Sequence, residues 1–254
     1  PTNENTAFYN CHNLLEDITK PLLLNRELSR VCSEIYSHTP RINNEMINKN
    51  HLNAPIRKAR AAVIDHLFEH PNDFEAIEGS GPEATIFRAV ISAFELGHCD
   101  TPNDDSLKSV FEIIDNFILN AEQNPVTFSD LYSVLCAPPY GMRKGVIPIY
   151  IAYRMRSKAD RVIIRQGRAE REISGELFNA IDSSPEKFTF SVEVGTADLD
   201  SYIDGILSLF GVKNNAGINK RKMAVEALCE WYRGLPKFAR DHQKVYSANG
   251  VKIT

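Results

Sequence analysis

Apolar residues recur at intervals of three and four through most of this chain, and that period predicts helices along nearly all of it. The first is expected with Asn25 as its cap and Leu28, Val31, Cys32 and Ile35 along one face. His38-Thr39-Pro40 ends it, because the residue before a proline is driven out of the α region. A short amphipathic piece is expected around Met46 and Ile47. Asn53 then caps a longer helix with Pro55 in its first turn and Ile56, Ala59, Val63 and Leu67 on its core side, closed by Pro71. Further helices are predicted from near Pro82 through Ile86, Val90 and Phe94 to Gly97, and from Ser106 through Leu107, Val110, Phe111, Ile114, Phe117 and Ile118. A shorter one runs from Thr127 through Leu131, Val134 and Leu135.

The pattern changes after Ala137. Pro138-Pro139-Tyr140-Gly141 is a rigid turn, and a helix is expected from about Lys144 to Lys158, with Gly145 and Pro148 near its start where a missing N–H costs least. Arg161-Val162-Ile163-Ile164-Arg165 is a β-branched run that predicts a strand; Gln166-Gly167-Arg168 turns, and Ala169 to Ile173 returns. Helix, tight turn, helix and hairpin in that order is the sequence shape of a winged helix-turn-helix. Phe188 to Val194 is a third strand that can join the hairpin. Helices resume at Ala197 to Phe210 and at Asn219 to Gly234, the last with Met223, Ala227 or Leu228 and Trp231 on one side, and Gly211 to Asn219 reads as a flexible joint. The expected fold is therefore mainly α: a multi-helical chain with a central winged helix-turn-helix-like module carrying a short β-hairpin. It divides into an N-terminal helical region (1–125), the winged-helix-like module (126–195) and a C-terminal helical region (196–254).

Composition narrows the class without naming it. At 254 residues, 43% hydrophobic and 24% charged, the chain can bury a sizeable core, which excludes disorder, collagen and coiled coil as descriptions of the whole. Its longest mostly apolar run, Val146 to Tyr153, is 8 residues, against the roughly 18 to 20 a membrane helix requires, so no membrane partner is expected. The opening Pro1-Thr2-Asn3-Glu4 lacks methionine and a signal core, and the chain reads as a piece of something longer. Cysteines at 11, 32, 99, 136 and 229 form no CxxC pair, which removes zinc-ribbon and thioredoxin-type sites and suits buried thiols in a reducing cytoplasm.

Charge is unevenly placed. The net charge is −4, yet Tyr140 to Arg171 carries Arg143, Lys144, Arg154, Arg156, Lys158, Arg161, Arg165, Arg168 and Arg171 against Asp160 and Glu170, a local +7 that leaves −11 elsewhere. On a recognition helix and wing, such a field suits the phosphates of double-stranded DNA, and all nine cations are candidate nucleic-acid contacts. Arg143, Lys144, Arg165 and Arg168 are expected to share one footprint. Against this, Val146-Ile147-Pro148-Ile149-Tyr150-Ile151 lacks the polar outer face of a groove-reading helix. The alternative is a buried scaffold helix whose terminal arginines meet acidic surfaces of the same protein. Tyr140, Tyr150 and Tyr153 are read as core packing before base stacking.

Enzyme-like motifs are few. His66-Leu67-Phe68-Glu69-His70 fits the H-x-x-E-H pattern of inverted zinc peptidases, with Glu112 or Glu122 as a third ligand, but Pro71 puts His70 at the fraying end of its helix. A zinc-dependent hydrolase is thus a lesser alternative. Gly79-Ser80-Gly81-Pro82 is not a phosphate loop: no Gly-Lys-Ser/Thr follows, and Pro82 removes a donor. No catalytic residue, metal or cofactor is assigned.

Three stretches carry a resemblance. Thr39-Pro40-Arg41-Ile42-Asn43-Asn44-Glu45-Met46-Ile47-Asn48-Lys49-Asn50, then Ala137-Pro138-Pro139-Tyr140-Gly141-Met142-Arg143-Lys144-Gly145-Val146-Ile147-Pro148, and Trp231 to Tyr246 with Gly234-Leu235-Pro236-Lys237-Phe238 are similar to the helical region downstream of the P-loop module in very large bacterial ATPases found among phage-defence genes, akin to those of BREX-type systems. The resemblance implies a non-catalytic accessory or sensor region, with nucleotide bound elsewhere in the parent and other parts of that chain or other defence subunits as partners. A protein-interaction scaffold without nucleic-acid binding is the other reading.

Overall fold

Most helices lie where the apolar spacing puts them, and side-chain caps mark the starts of three of them, although Asn25, expected as the first cap, lies inside its helix. In the computed structural model, which describes residues 9–10, 13–14, 21–70, 76–97, 101–195, 197–212, 220–236, 245–246 and 252–253, helix α1 covers Pro21–Ile35 and α2 covers Ala54–Glu69. Asn53 Oδ1 accepts the Ile56 N–H at 3.1 Å, the expected cap of α2. Helix α3, Pro82–Val90, stops earlier than its spacing suggests. A 3-10 turn, Ser92–Phe94, follows it and Glu95 takes the left-handed conformation at φ 57°, so Phe94 and Leu96 still reach the core. Asp104, not Ser106, caps α4 (Asp105–Asn120): its Oδ1 accepts the Leu107 N–H at 2.8 Å, and a carboxylate also suits the positive end of the helix.

Helix α5, Phe128–Cys136, and α6, Ile147–Met155, are joined by the proline turn. Residues 144–146 belong to a turn that precedes α6, and a 3-10 segment, Arg156–Arg161, follows it, so the α-helical part is shorter than the expected span. A four-strand antiparallel sheet has the order β3 (Val126–Thr127), β6 (Phe188–Val192), β4 (Val162–Gln166), β5 (Ala169–Arg171). Ile164 stands opposite Arg171 on one side and Phe190 on the other, and Phe190 stands opposite Val126. Alternation along β6 sends Phe188, Phe190 and Val192 inward. Two small ribbons, β1 (Tyr9–Asn10) with β2 (Asn13–Leu14) and β7 (Val245–Tyr246) with β8 (Lys252–Ile253), complete the described strands.

Between the hairpin and β6 the chain forms α7, Gly175–Ser183, which the strand-centred reading of this stretch omits. Ser174 Oγ accepts the Leu177 N–H at 3.2 Å, and Leu177, Phe178 and Ile181 enter the core. The first turn of α7 lies directly on α2: Asp65 Oδ1 accepts the Gly175 N–H at 2.6 Å, and a Cβ at Gly175 would collide with the Ala61 backbone. Gly175→Ala is accordingly expected to cost about 1–3 kcal/mol through overpacking. Urea denaturation checks this, and an unchanged midpoint would show that the two backbones are not in contact.

Helix α6 is the centre of the molecule. Every residue from Ile147 to Tyr153, and Met155, is buried, with α2, α4 and α7 packed around it. One apolar cluster runs from Ile47 to Val192. A separate small cluster of Ile203, Leu207, Met223 and Ala224 joins α8 (Ala197–Leu209) to α9 (Lys220–Gly234). On α9 the expected apolar side is only half realised: Met223 and Ala227 are buried, but Trp231 is 53% and Leu228 39% exposed. None of α1 is buried, although Leu28 and Ile35 carry its apolar stripe. Of the expected joint, Gly211 to Asn219, Gly211 takes φ 64° and residues 213–219 lie outside the described residues. No described helix is long and apolar enough to cross a membrane.

Candidate functional site

The nine cations of the basic stretch are dispersed by the fold. Arg154 forks onto Asp115 of α4, with Nε to Oδ1 at 2.8 Å and Nη2 to Oδ2 at 2.7 Å, and lies over the Phe111 ring. Arg156 is buried, its guanidinium 3.9 Å from the centre of the Tyr153 ring and donating to the Tyr153 carbonyl. Lys158 donates to Glu122 at 3.0 Å, and Arg161 to Asp200 at 2.9 Å. Each of these three ion pairs joins the end of α6 or the segment after it to another element, as the scaffold alternative expects. At the hairpin, Arg171 donates to Gln166 at 3.3 Å, Arg165 stands opposite Glu170 in the strand register, and Arg168 is exposed beside Gly167, which takes φ 61° at the turn.

Arg143 and Lys144 lie elsewhere. They line a cleft of about 790 Å³ whose wall neither Arg165 nor Arg168 joins. One side is the end of α1 and the segment after it, including Tyr36, Thr39, Arg41, Asn48, Asn50 and His51. The other is the turn from Cys136 through Gly141 to Lys144, with Asp104 and Ser106 at the start of α4. The segment from Thr39 to His51 and the proline turn thus face one another across one cavity.

Hydrogen bonds to backbone groups hold the walls together. The His38 N–H donates to the Pro139 carbonyl at 3.1 Å, and Thr39 Oγ1 donates to the Tyr140 carbonyl. The Gly145 N–H donates to the Lys49 carbonyl at 2.9 Å, and the Lys144 N–H to Asn50 Oδ1 at 3.2 Å. Glycine is required twice: Gly141 takes φ 54° beneath the Tyr36 ring, and a Cβ on Gly145 would strike the Ile47 carbonyl.

Below the turn lies a buried polar network. Arg60 of α2 is wholly buried. It donates to Asn179 Oδ1 at 2.9 and 2.7 Å, to Asp182 Oδ2 at 2.9 Å and to the Gly145 carbonyl at 3.2 Å. Asn179 in turn donates to the Arg57 carbonyl at 3.1 Å. Burial raises the Asp182 carboxyl above its ordinary range, and the Arg60 charge opposes that shift. Burial, with the Asp182 charge adding to it, raises the Tyr132 phenol well above its usual value. Sequence reasoning passed over Arg60, since a lone arginine on an amphipathic helix reads as surface; Ala59 and Ala61 on either side were the available signal that this stretch of α2 sits close to another element.

The H-x-x-E-H histidines do adjoin, with ring centres 4.7 Å apart, and His66 packs edge-on against Phe87. Among the described residues no group of three histidine, cysteine or carboxylate side chains is placed to hold a metal ion. Glu122 is occupied by Lys158, and Glu112 is exposed. The cysteines depart from the expected burial: Cys32 and Cys229 are exposed and Cys136 is half-buried, all as free thiols, while 11 and 99 lie outside the described residues. Tyr150 and Tyr153 are core residues, as read from their spacing, Tyr153 stacked on Phe111 and Tyr150 meeting it edge-on. Comparison with protein-family models, with curated proteins and with solved structures found no match.

Proposed function

We propose that this chain is a non-catalytic accessory or sensor region of a large bacterial phage-defence ATPase, built on a winged-helix-like module whose second helix is a structural core and not a groove reader. The element order supports the module reading: α4, β3, α5, α6, β4 and then β6 return with strand order β3-β6-β4, the arrangement of a winged helix, and β5 with α7 form an enlarged wing. The observation that carries the functional reading is the burial of every residue of α6 but Arg154, whose guanidinium is taken up by Asp115. A helix so enclosed has no free side chain to offer a base edge. Contact with double-stranded DNA is left to the exposed wing, through Arg165, Arg168 and Arg171, as phosphate contact independent of sequence.

The scaffold reading is favoured by the internal pairing of Arg154, Lys158 and Arg161. Titration with short duplexes separates the two. If each wing arginine neutralises one phosphate, the slope of log affinity on log salt is expected near about −3, and Arg168→Gln is expected to reduce it by about one unit. Two duplexes of unrelated sequence should bind alike. Undetectable binding at low salt, or a slope unchanged in Arg168→Gln, removes the DNA role and leaves the scaffold.

A further inference from the structure

We propose that the cleft between the 39–51 segment and the proline turn is a binding site for a small phosphate-bearing ligand, held by Arg41, Arg143 and Lys144. The cavity has the size of a small-molecule site, about 790 Å³. Its walls carry three cations against one carboxylate, Asp104, one of whose oxygens already accepts the Leu107 N–H. Of the cations outside the cleft, Arg154, Lys158, Arg161, Arg60, Lys108 and Lys220 each meet a carboxylate at 3.0 Å or less. Among the described residues no ion pair involves Arg41, Arg143 or Lys144. Three cations on the two walls of one concave cleft, with only the Lys144 charge also felt by Asp182 below it, repel one another and focus a positive potential into the cavity, and an anion relieves both.

The backbone that carries two of the cations is fixed in place. Arg143 and Lys144 sit on a turn tied to the opposite wall at Lys49 and Asn50, and Arg60 holds the Gly145 carbonyl from below, so the turn itself requires little ordering on binding. Arg60 is a positioning residue in this arrangement and touches no ligand. The remaining lining suits phosphate oxygens, since Ser37, Asn48 and Ser106 add neutral donors. A cleft of this volume has the size for a compact polyphosphate, whereas a strand of nucleic acid needs a groove tracking its backbone. This inference stands apart from the wing reading, because the wing arginines do not line the cleft.

Calorimetric titration of the full chain with inorganic tripolyphosphate tests it, with a short oligothymidylate as the second arm. Saturable binding of tripolyphosphate is expected, weakened about tenfold or more in Arg143→Gln/Lys144→Gln and unchanged in Arg165→Gln/Arg168→Gln. Arg41→Gln, on the opposite wall and outside the turn, is expected to weaken it as well, and it serves if the double variant fails to fold. No saturable binding, or equal weakening by the cleft and wing pairs, overturns the proposal. Oligothymidylate binding more tightly than tripolyphosphate through Arg143 and Lys144 overturns the small-ligand assignment.

Discussion

Arg60→Ala is expected to lower the free energy of unfolding by about 3–5 kcal/mol, the usual consequence of removing one partner of a buried ion pair. The truncation strands Asp182, whose carboxylate is 13% exposed, and frees Asn179 Oδ1 and the Gly145 carbonyl in surroundings where water cannot replace the guanidinium. Because Arg60 joins α2 to α7 and to the turn before α6, the loss falls on three elements at once. Arg60→Lys is expected to recover only part of it, since one ammonium cannot span the acceptors that the planar fork reaches. Urea denaturation of the two variants measures this directly. A cost below about 1 kcal/mol for Arg60→Ala would mean that water reaches the network.

Phe190→Ala is expected to cost a similar amount, about 3–5 kcal/mol. The ring is wholly buried, stacks on Phe117 of α4 with centres 5.3 Å apart and meets Phe128 of α5 edge-on at 5.6 Å. Its strand lies between β3 and β4, so the cavity would open where sheet and helices meet. Phe190→Leu, which refills most of the volume, should cost markedly less. Equal losses for the two would show that the aromatic contacts, and not filled space, hold this junction.

Periodicity and capping made most helices legible, because Asn53, Pro82 and the apolar rows of α2 and α4 act locally. Asp104, two residues before Ser106, is the cap, and its carboxylate suits the positive end of the helix. Helix α7 was also legible in principle from Ser174 and the spacing of Leu177, Phe178 and Ile181, but the preceding strand pattern drew attention away from it. The fate of the basic stretch was not legible. Nothing in the run from Arg143 to Arg171 says that Asp115, Glu122 and Asp200 wait on other elements, or that Lys144 shares a cleft with Arg41 some hundred positions earlier. Those are tertiary facts, and a charge run read along the chain counts them all as free. The apolar run from Val146 to Ile151 was the better guide, since a helix apolar all round belongs inside.

Hydrogen exchange at the amides of Ile147–Met155, with and without duplex DNA, tests that burial most directly. The expected result is exchange only through global opening, among the slowest in the protein, with rates that DNA leaves unchanged apart from any overall stabilisation. Rapid exchange across α6, or protection confined to α6 on adding DNA, would contradict it and return the helix to the surface as a reader of the groove.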